Sequence, residues 1–337
     1  MRRIFIMLMV VIIINALGIT SAFSQVGMWI EKQKMPTARY AMASAVVNGN
    51  IYVIGGWGNG FLETVEMYDP RRDRWETKAS ISQGNLGVAA AVVNGKIYAI
   101  GGWTGNTVLS TLEEYDPIND TWTGKADMPT ARNWLSAVVV DGIIYAIGGL
   151  HASALSTVEA YDPSADRWSS KADLPLPSIA NTAVVGRNIY TMGVGISCGN
   201  SLCPRSDVYE YNTTLNTWTK RSDMPTPRMV ISIAAVGEKI YTIGGVLSFN
   251  PQRTVSTVEI YDTRTNTWED GVELTSARAH TAASVIDGRI YVIGGDNDWP
   301  AGNAWPLVLP AVEVFDTGLS VSPQGRLAAK WSEIKSK

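Results

Sequence analysis

Four arginines and five glutamates recur at fixed places along this 337-residue chain. Arg39, Arg132, Arg228 and Arg278 each open a segment, while Glu66, Glu113, Glu159, Glu259 and Glu313 lie two residues before a Tyr or Phe. Guanidinium and carboxylate groups together are the raw material of acid–base catalysis or anion binding. Their recurrence argues against that use. One active site needs its groups once, so a set written several times is expected to form ion pairs or backbone anchors within each repeat. No Gly-x-Ser-x-Gly, phosphate loop or dinucleotide fingerprint accompanies them.

The rarer side chains are more singular. His151 and His280 are the only histidines; His151 follows a glycine pair and His280 starts an apolar run. Two isolated imidazoles without a Cys or carboxylate cluster make no metal set. No metal, cofactor or catalytic residue is therefore assigned. Asp296 and Asp298 are the acids best placed for a role at one site only, against the plainer reading of solvated loop acids. Cys198 and Cys203 are the only cysteines, in one short Cys-Gly-Asn-Ser-Leu-Cys segment. An even pair in an exported chain is expected to be a disulfide, and so short a loop shapes the segment more than it holds the fold.

Twelve tryptophans divide into two groups. Trp29, Trp75, Trp122, Trp168, Trp218, Trp268 and Trp331 fall at repeat or closing positions and are expected to pack. Trp57, Trp103, Trp134, Trp299 and Trp305 do not. Trp57 and Trp103 directly follow glycine pairs, Trp134 follows Arg132 by two residues, and Trp299 and Trp305 lie in the long segment after Gly295.

The elements that must position these residues are written six times. Apolar runs begin at Ile51, Ile97, Ile144, Ile189, Ile240 and Ile290, and five of them end in a glycine pair: Gly55-Gly56, Gly101-Gly102, Gly148-Gly149, Gly244-Gly245 and Gly294-Gly295. The fourth has Met192-Gly193-Val194 instead. The period is 45 to 51 residues, a spacing that belongs to propellers or solenoids. Asn48-Gly49, Asn94-Gly95, Asp141-Gly142 and Asp287-Gly288 read as tight hairpins between two strands. A third strand ends in a tyrosine–acid pair such as Tyr68-Asp69 or Tyr161-Asp162, which is turn and packing chemistry. A fourth carries the tryptophan.

The glycine pair, Tyr-Asp and Trp, with Pro-x-x-Arg between units, closely resemble the kelch repeat from Trp29 to roughly Phe315. The resemblance implies an all-β, six-bladed β-propeller of four-stranded antiparallel blades. Blades start near residues 35, 81, 128, 174, 224 and 274, in a single domain spanning 25–337. The second repeat departs with Asn85 in place of arginine. The fourth departs most, with no arginine near Pro177-Ser178 and Asn212 for the acid. The closing strand comes from Trp29, with Trp331 as the alternative. Some kelch-type propellers are copper oxidases with Tyr, His and Cys ligands; this chain has too few histidines for that.

Antiparallel connectivity puts the link into strand one and the link between strands two and three on the same face. All five surplus tryptophans therefore map to one face, with His151, Asp296 and Asp298. The spacing from the second glycine (Gly195 in the fourth repeat) to the Tyr or Phe is 12 or 13 residues in three repeats, then 16, 16 and 20. Loops on a rigid scaffold are where binding residues ride, and Trp rings suit stacking on sugars or anchoring a protein.

Net charge is −3 with both signs interspersed, so no nucleic-acid partner is expected. Arg2-Arg3, an apolar stretch from Ile4 to Ile19 and Ser21-Ala22-Phe23-Ser24 read as a signal peptide over 1–24. The mature chain is expected in a periplasm or outside the cell, monomeric and free of the membrane after cleavage. The expected function is recognition of a glycan or protein through the Trp-bearing face. The alternative is a carbohydrate-active enzyme such as the sugar epimerases or mutarotases built on kelch propellers.

Overall fold

A computed structural model describes residues 27–199, 201–249, 252–297 and 307–319. The expected signal peptide over 1–24, Asp298, Trp299, Trp305 and Trp331 lie outside the described residues. Six blades each have four antiparallel strands at their core, blade four with a fifth strand added, a two-stranded sheet stands apart from them, and no helix occurs among the described residues.

The first blade runs Ala43–Val47, Asn50–Ile54, Val65–Asp69 and Arg74–Lys78. The second runs Ala89–Val93, Lys96–Ile100, Leu112–Asp116 and Thr121–Gly124. The third runs Ser136–Val140, Ile143–Ile147, Val158–Asp162 and Arg167–Ser170. In blade four the strands are Ile179–Val185, Asn188–Cys198, Tyr209–Asn212 and Thr217–Lys220, with Ser201–Pro204 folded back on the long second strand. Blade five has Ser232–Val236, Lys239–Ile243, Val258–Asp262 and Thr267–Asp270, and carries an extra hairpin of Val246–Phe249 and Gln252–Thr254. Blade six has Ala282–Ile286, Arg289–Ile293 and Val312–Asp316. Its outer strand is Trp29–Glu31 from the start of the chain, antiparallel to Val312–Asp316 with Trp29 opposite Phe315.

Residue choice explains the blade. Asn48 and Gly49 both adopt positive φ, 52° and 75°, the twist that joins two adjacent strands in two residues. Strand two is buried on both faces: Ile51, Val53 and Ile54 are inaccessible and Tyr52 nearly so. The core therefore lies between blades. Tyr52, Ile54 and Val65 of blade one pack with Ile97, Ala99 and Tyr115 of blade two, while Ile51, Val53 and Tyr68 pack with Tyr291, Ile293 and Val312 of blade six.

The glycine pair is a stitch between blades. The second glycine donates its N–H to the carbonyl at the arginine position of the next blade: Gly102 to Arg132 (3.1 Å), Gly245 to Arg278 (3.0 Å) and Gly295 to Arg39 (2.9 Å). A Cβ on the first glycine would strike that carbonyl, at 2.4 Å for Gly101 and 2.5 Å for Gly148. Blade four has Val194 at the second position. Its strand does not stop there but runs on to Cys198, which creates the hairpin closed by the Cys198–Cys203 disulfide.

The outer strands show a second stitch. The half-buried Trp75, Trp122, Trp168, Trp218 and Trp268 each stack beside the tyrosine of the third strand, at about 5 Å between centroids. Each indole donates to a carbonyl in the link leaving the preceding blade, as Trp122 does to Ala79 (2.8 Å). Being on edge strands, these rings are only partly covered. The residue two before each Trp, at positive φ, bridges the same junction: Asp120 accepts from the Tyr115 hydroxyl (2.5 Å) and from the Ala79 N–H (2.8 Å).

Candidate functional site

Three equivalent positions in each of five blades converge on one end of the propeller axis. The residue after the glycine pair bridges the residue after the arginine position: Trp57 with Tyr40, Trp103 with Leu86, Leu150 with Asn133, Val246 with Met229 and Asp296 with Ala279. The next residue in the incoming link takes a left-handed conformation: Ala41, Gly87, Trp134, Val230 and His280, with φ between 48° and 67°. Their backbones join around the mouth, Trp134 N–H to Gly87, Gly87 to Ala41, Ala41 to His280 and His280 to Val230, at 2.8 to 3.2 Å. The repeat thus builds a rigid rim and leaves the side chains to vary by blade.

That variation makes the rim one-sided. Blades one and two supply Tyr40, Trp57, Phe61, Leu86 and Trp103; blade three supplies Trp134; blades four and five supply Ile179, Leu202 and Val230; blade six supplies His280. Together they line a cavity of about 630 Å³, within the range of a small-molecule site. Phe61 stands edge-on to Trp57 (centroids 4.7 Å) and to Trp103 (5.5 Å), with planes nearly perpendicular. This edge-to-face arrangement leaves the rings mutually braced.

Trp134 and His280 enter from opposite blades and meet with ring centroids 5.2 Å apart. Both also line a smaller space of about 110 Å³ beneath, floored by Met42, Val88, Leu135 and Ile231. They partition the axis into an upper cavity and the narrow channel below, whose walls are the small residues of the inner strands.

His280 is almost wholly buried, and its Nδ1 lies 2.8 Å from Oδ1 of the inaccessible Asp296. A carboxylate on Nδ1 fixes ring orientation and holds a proton on that nitrogen. Tyr40 completes the group, its ring 5.7 Å from the imidazole. Burial, and behind it the charge on Asp296, push the Tyr40 phenol up to about 12. This trio occurs in blade six and its neighbour, not around the ring.

Trp57, Trp103 and Trp134 therefore come together, and Asp296 stands behind His280 at the same mouth. His151 does not join them. It is exposed, with Nδ1 2.9 Å from the Ala131 carbonyl, outside the cavity lining. Sequence reading passed over His280, Tyr40, Phe61 and Leu202 as site residues. His280 had a usable signal: it stands two residues after Arg278, as Trp134 stands two after Arg132.

The arginines and glutamates stay within their blades. Arg39 meets Glu66 at 2.7 Å, Arg132 meets Glu159 at 2.7 Å, Arg228 meets Glu259 at 2.6 Å, and Arg278 pairs with Glu313. All four guanidinium groups are inaccessible. Arg39 also donates to the Gly55 and Thr64 carbonyls, tying the loop between strands two and three to the blade. Burial lowers each arginine's pKa, opposed by its glutamate. In blade four Ser178 and Tyr209 replace both partners; in blade two only the arginine is lost, and Glu113 is half-exposed.

No curated protein sequence matches the chain. A solved structure described as that of YjhT is 15% identical over 88% of this chain and 98% of its own, with a TM-score of 0.69; at that identity the likeness shows the fold. Family models place the repeats: a KLHDC2/KLHL20/DRC7 Kelch-repeats domain matches residues 25–149, and the Kelch motif matches 135–175, 231–275 and 277–318. With the glycine pair in five blades, and a tryptophan beside the third-strand tyrosine or, in blade six, Phe315, these matches make the chain a member of the kelch-repeat family.

Proposed function

We propose that this chain is an exported recognition module that holds a glycan or protein partner at the Trp-bearing mouth of the propeller. Kelch propellers typically mediate protein interactions. The observation that carries the reading is the cavity of about 630 Å³ in which Trp57, Phe61, Trp103 and Trp134 meet on one side of a rigid rim. Aromatic faces with a few polar tips suit a sugar ring or an anchoring side chain. Export is supported by the leader pattern over 1–24 and fits a disulfide at Cys198–Cys203. The test is glycan-array and partner-capture binding by the chain from Gln25, beside a Trp57→Ala/Trp103→Ala variant. Binding lost in the variant supports the reading; binding that survives places the partner elsewhere.

A second reading, a carbohydrate-active enzyme, draws on the His280–Asp296 pair. A carboxylate-held imidazole bordering a cavity at one blade is the arrangement of a proton-transfer group. Its test is interconversion of sugar epimers or anomers followed by NMR, with His280→Gln alongside. Turnover lost in that variant supports it, and no turnover by the unaltered chain overturns it.

A further inference from the structure

The mouth cavity has a chemical bias of its own. Five aromatic residues line it, and among the described residues no lysine or arginine does. Residues 298–306, which follow Asp296, contain neither cation in their sequence. A buried carboxylate, Asp296, stands 2.8 Å behind the His280 imidazole that lines the cavity. No lysine or arginine of the described lining neutralises an incoming anion, and desolvating a carboxylate or phosphate without a partner costs heavily. A cation meets the opposite situation. The faces of Trp, Tyr and Phe carry negative potential, and a nearby carboxylate adds to it.

We propose that this cavity is a site for an alkylated ammonium group, such as a choline-type or methylated-lysine cation. The cation sits against the rings of Trp57, Trp103 and Trp134, with Asp296 supplying counter-charge through His280. An alkylated ammonium fits better than a bare one. Its methyl groups match the apolar walls of Phe61, Leu86 and Leu202, whereas a primary ammonium needs three hydrogen-bond acceptors and the lining side chains concentrate theirs at Thr104 and Asn106. The Tyr40 phenol, on the same wall, is pushed up first by burial and then by the Asp296 charge. The proposal rests on the mouth being the binding face.

The test compares choline with its neutral carbon isostere, 3,3-dimethylbutan-1-ol, on the unaltered chain by calorimetry, with tetramethylammonium as competitor. The two have the same shape and differ in charge. Choline is expected to bind about tenfold tighter than the isostere, the gain of a desolvated cation on aromatic faces. Tetramethylammonium is expected to displace it, and Trp57→Ala/Trp103→Ala to abolish binding. Asp296→Asn is expected to narrow the gap between choline and isostere. Equal binding of the two overturns the proposal, as does the absence of choline binding at concentrations where the isostere binds or where neither does. Choline bound with full affinity by the tryptophan variant overturns the placement at the mouth. Trp-dependent capture of a glycan or protein with no response to choline overturns only the cation, and leaves the binding face standing.

Discussion

Trp29 and Phe315 face each other across the closing sheet, register partners with ring centroids 5.1 Å apart. The Trp29 indole also donates to the Val272 carbonyl at 2.8 Å, in the link that leaves blade five. One residue at the start of the chain thereby does for blade six what Trp75 to Trp268 do for the others. Truncating it removes ring packing and the stitch together. Trp29→Ala is expected to cost about 2–3 kcal/mol, below the range for a fully buried tryptophan because its ring is half-exposed. Urea unfolding should show a lower midpoint with unchanged slope. Deleting residues 27–31 should do more, exposing the edge of Val312–Asp316 and promoting self-association. An unchanged midpoint in both variants would show that the ring closes without this strand.

The glycines separate two costs. Gly95 has φ +74° and open space around a would-be Cβ, so Gly95→Ala pays only for the left-handed backbone, about 1 kcal/mol. Gly148 has φ +59°, and a Cβ there would sit 2.5 Å from the Ser178 carbonyl of the next blade. Gly148→Ala is expected to cost at least 2 kcal/mol more, as two blades are forced apart. Paired denaturation curves measure the difference, and equal costs would refute the stitch.

Buried ion pairs predict an asymmetry between breaking and replacing. Arg132→Ala leaves Glu159 charged and buried and is expected to cost about 3–5 kcal/mol. The double change Arg132→Met/Glu159→Met should recover much of that loss, since it removes both charges. Blade four already lives without the pair, with Ser178 and Tyr209 at these positions. A double variant as unstable as the single one would mean that the carbonyl contacts of Arg132, not its charge, hold the loop.

How far the sequence could be read follows from what the repeat records. Gly-Gly, Tyr and Trp recur because each blade meets its neighbour in the same way, so blade count, strand order and the buried arginines were legible. Departures were legible too, but not their consequence: Val194 stood out, yet only the fold turns a lost second glycine into a strand that runs on to Cys198. The cavity was half legible. Trp57, Trp103 and Trp134 break the repeat as large aromatics and attract notice. His280 and Tyr40 pass as ordinary strand-entry residues until the ring closes and brings blade three against blade six. His151 shows the converse, since a histidine after a glycine pair reads as a site residue but is exposed and outside the cavity lining.

Alkaline pH should unfold this protein through its tyrosines. Burial first, and acids second, raise the phenols of Tyr40 and Tyr241 to about 12, and burial with Tyr145 raises Tyr211 to about 12. Tyr68, Tyr115 and Tyr161 are raised further by burial and by their bonds to Asp73, Asp120 and Asp166. With folded pKa values above the unfolded value near 10, the unfolded chain binds fewer protons, so stability falls as pH rises. The contribution is whole below about pH 10, and the share of Tyr40, Tyr211 and Tyr241 is lost progressively between about 10 and 12. Absorbance at the tyrosinate band should rise together with loss of tertiary signal, and Tyr40→Phe should shallow the slope. Tyrosinate appearing at pH 10 in a chain that stays folded would contradict this.

The disulfide should matter more to the cavity than to the fold. Cys198 and Cys203 close a loop of only six residues, for which chain entropy gives about 2 kcal/mol at most. That loop contains Leu202, which packs beside Ile179, Met229 and Val230 and lines the cavity. Cys198→Ser/Cys203→Ser is therefore expected to keep the propeller folded, with a thermal midpoint lowered by a few degrees. Its hairpin amides should exchange faster, and whatever ligand the mouth holds should bind more weakly, because the wall opposite Trp57 and Trp103 is no longer fixed. Hydrogen exchange resolved to 195–204 separates the local effect from the global one. Unaltered protection there would show that pairing of Gly195–Cys198 with Ser201–Pro204 positions Leu202 without the covalent bond.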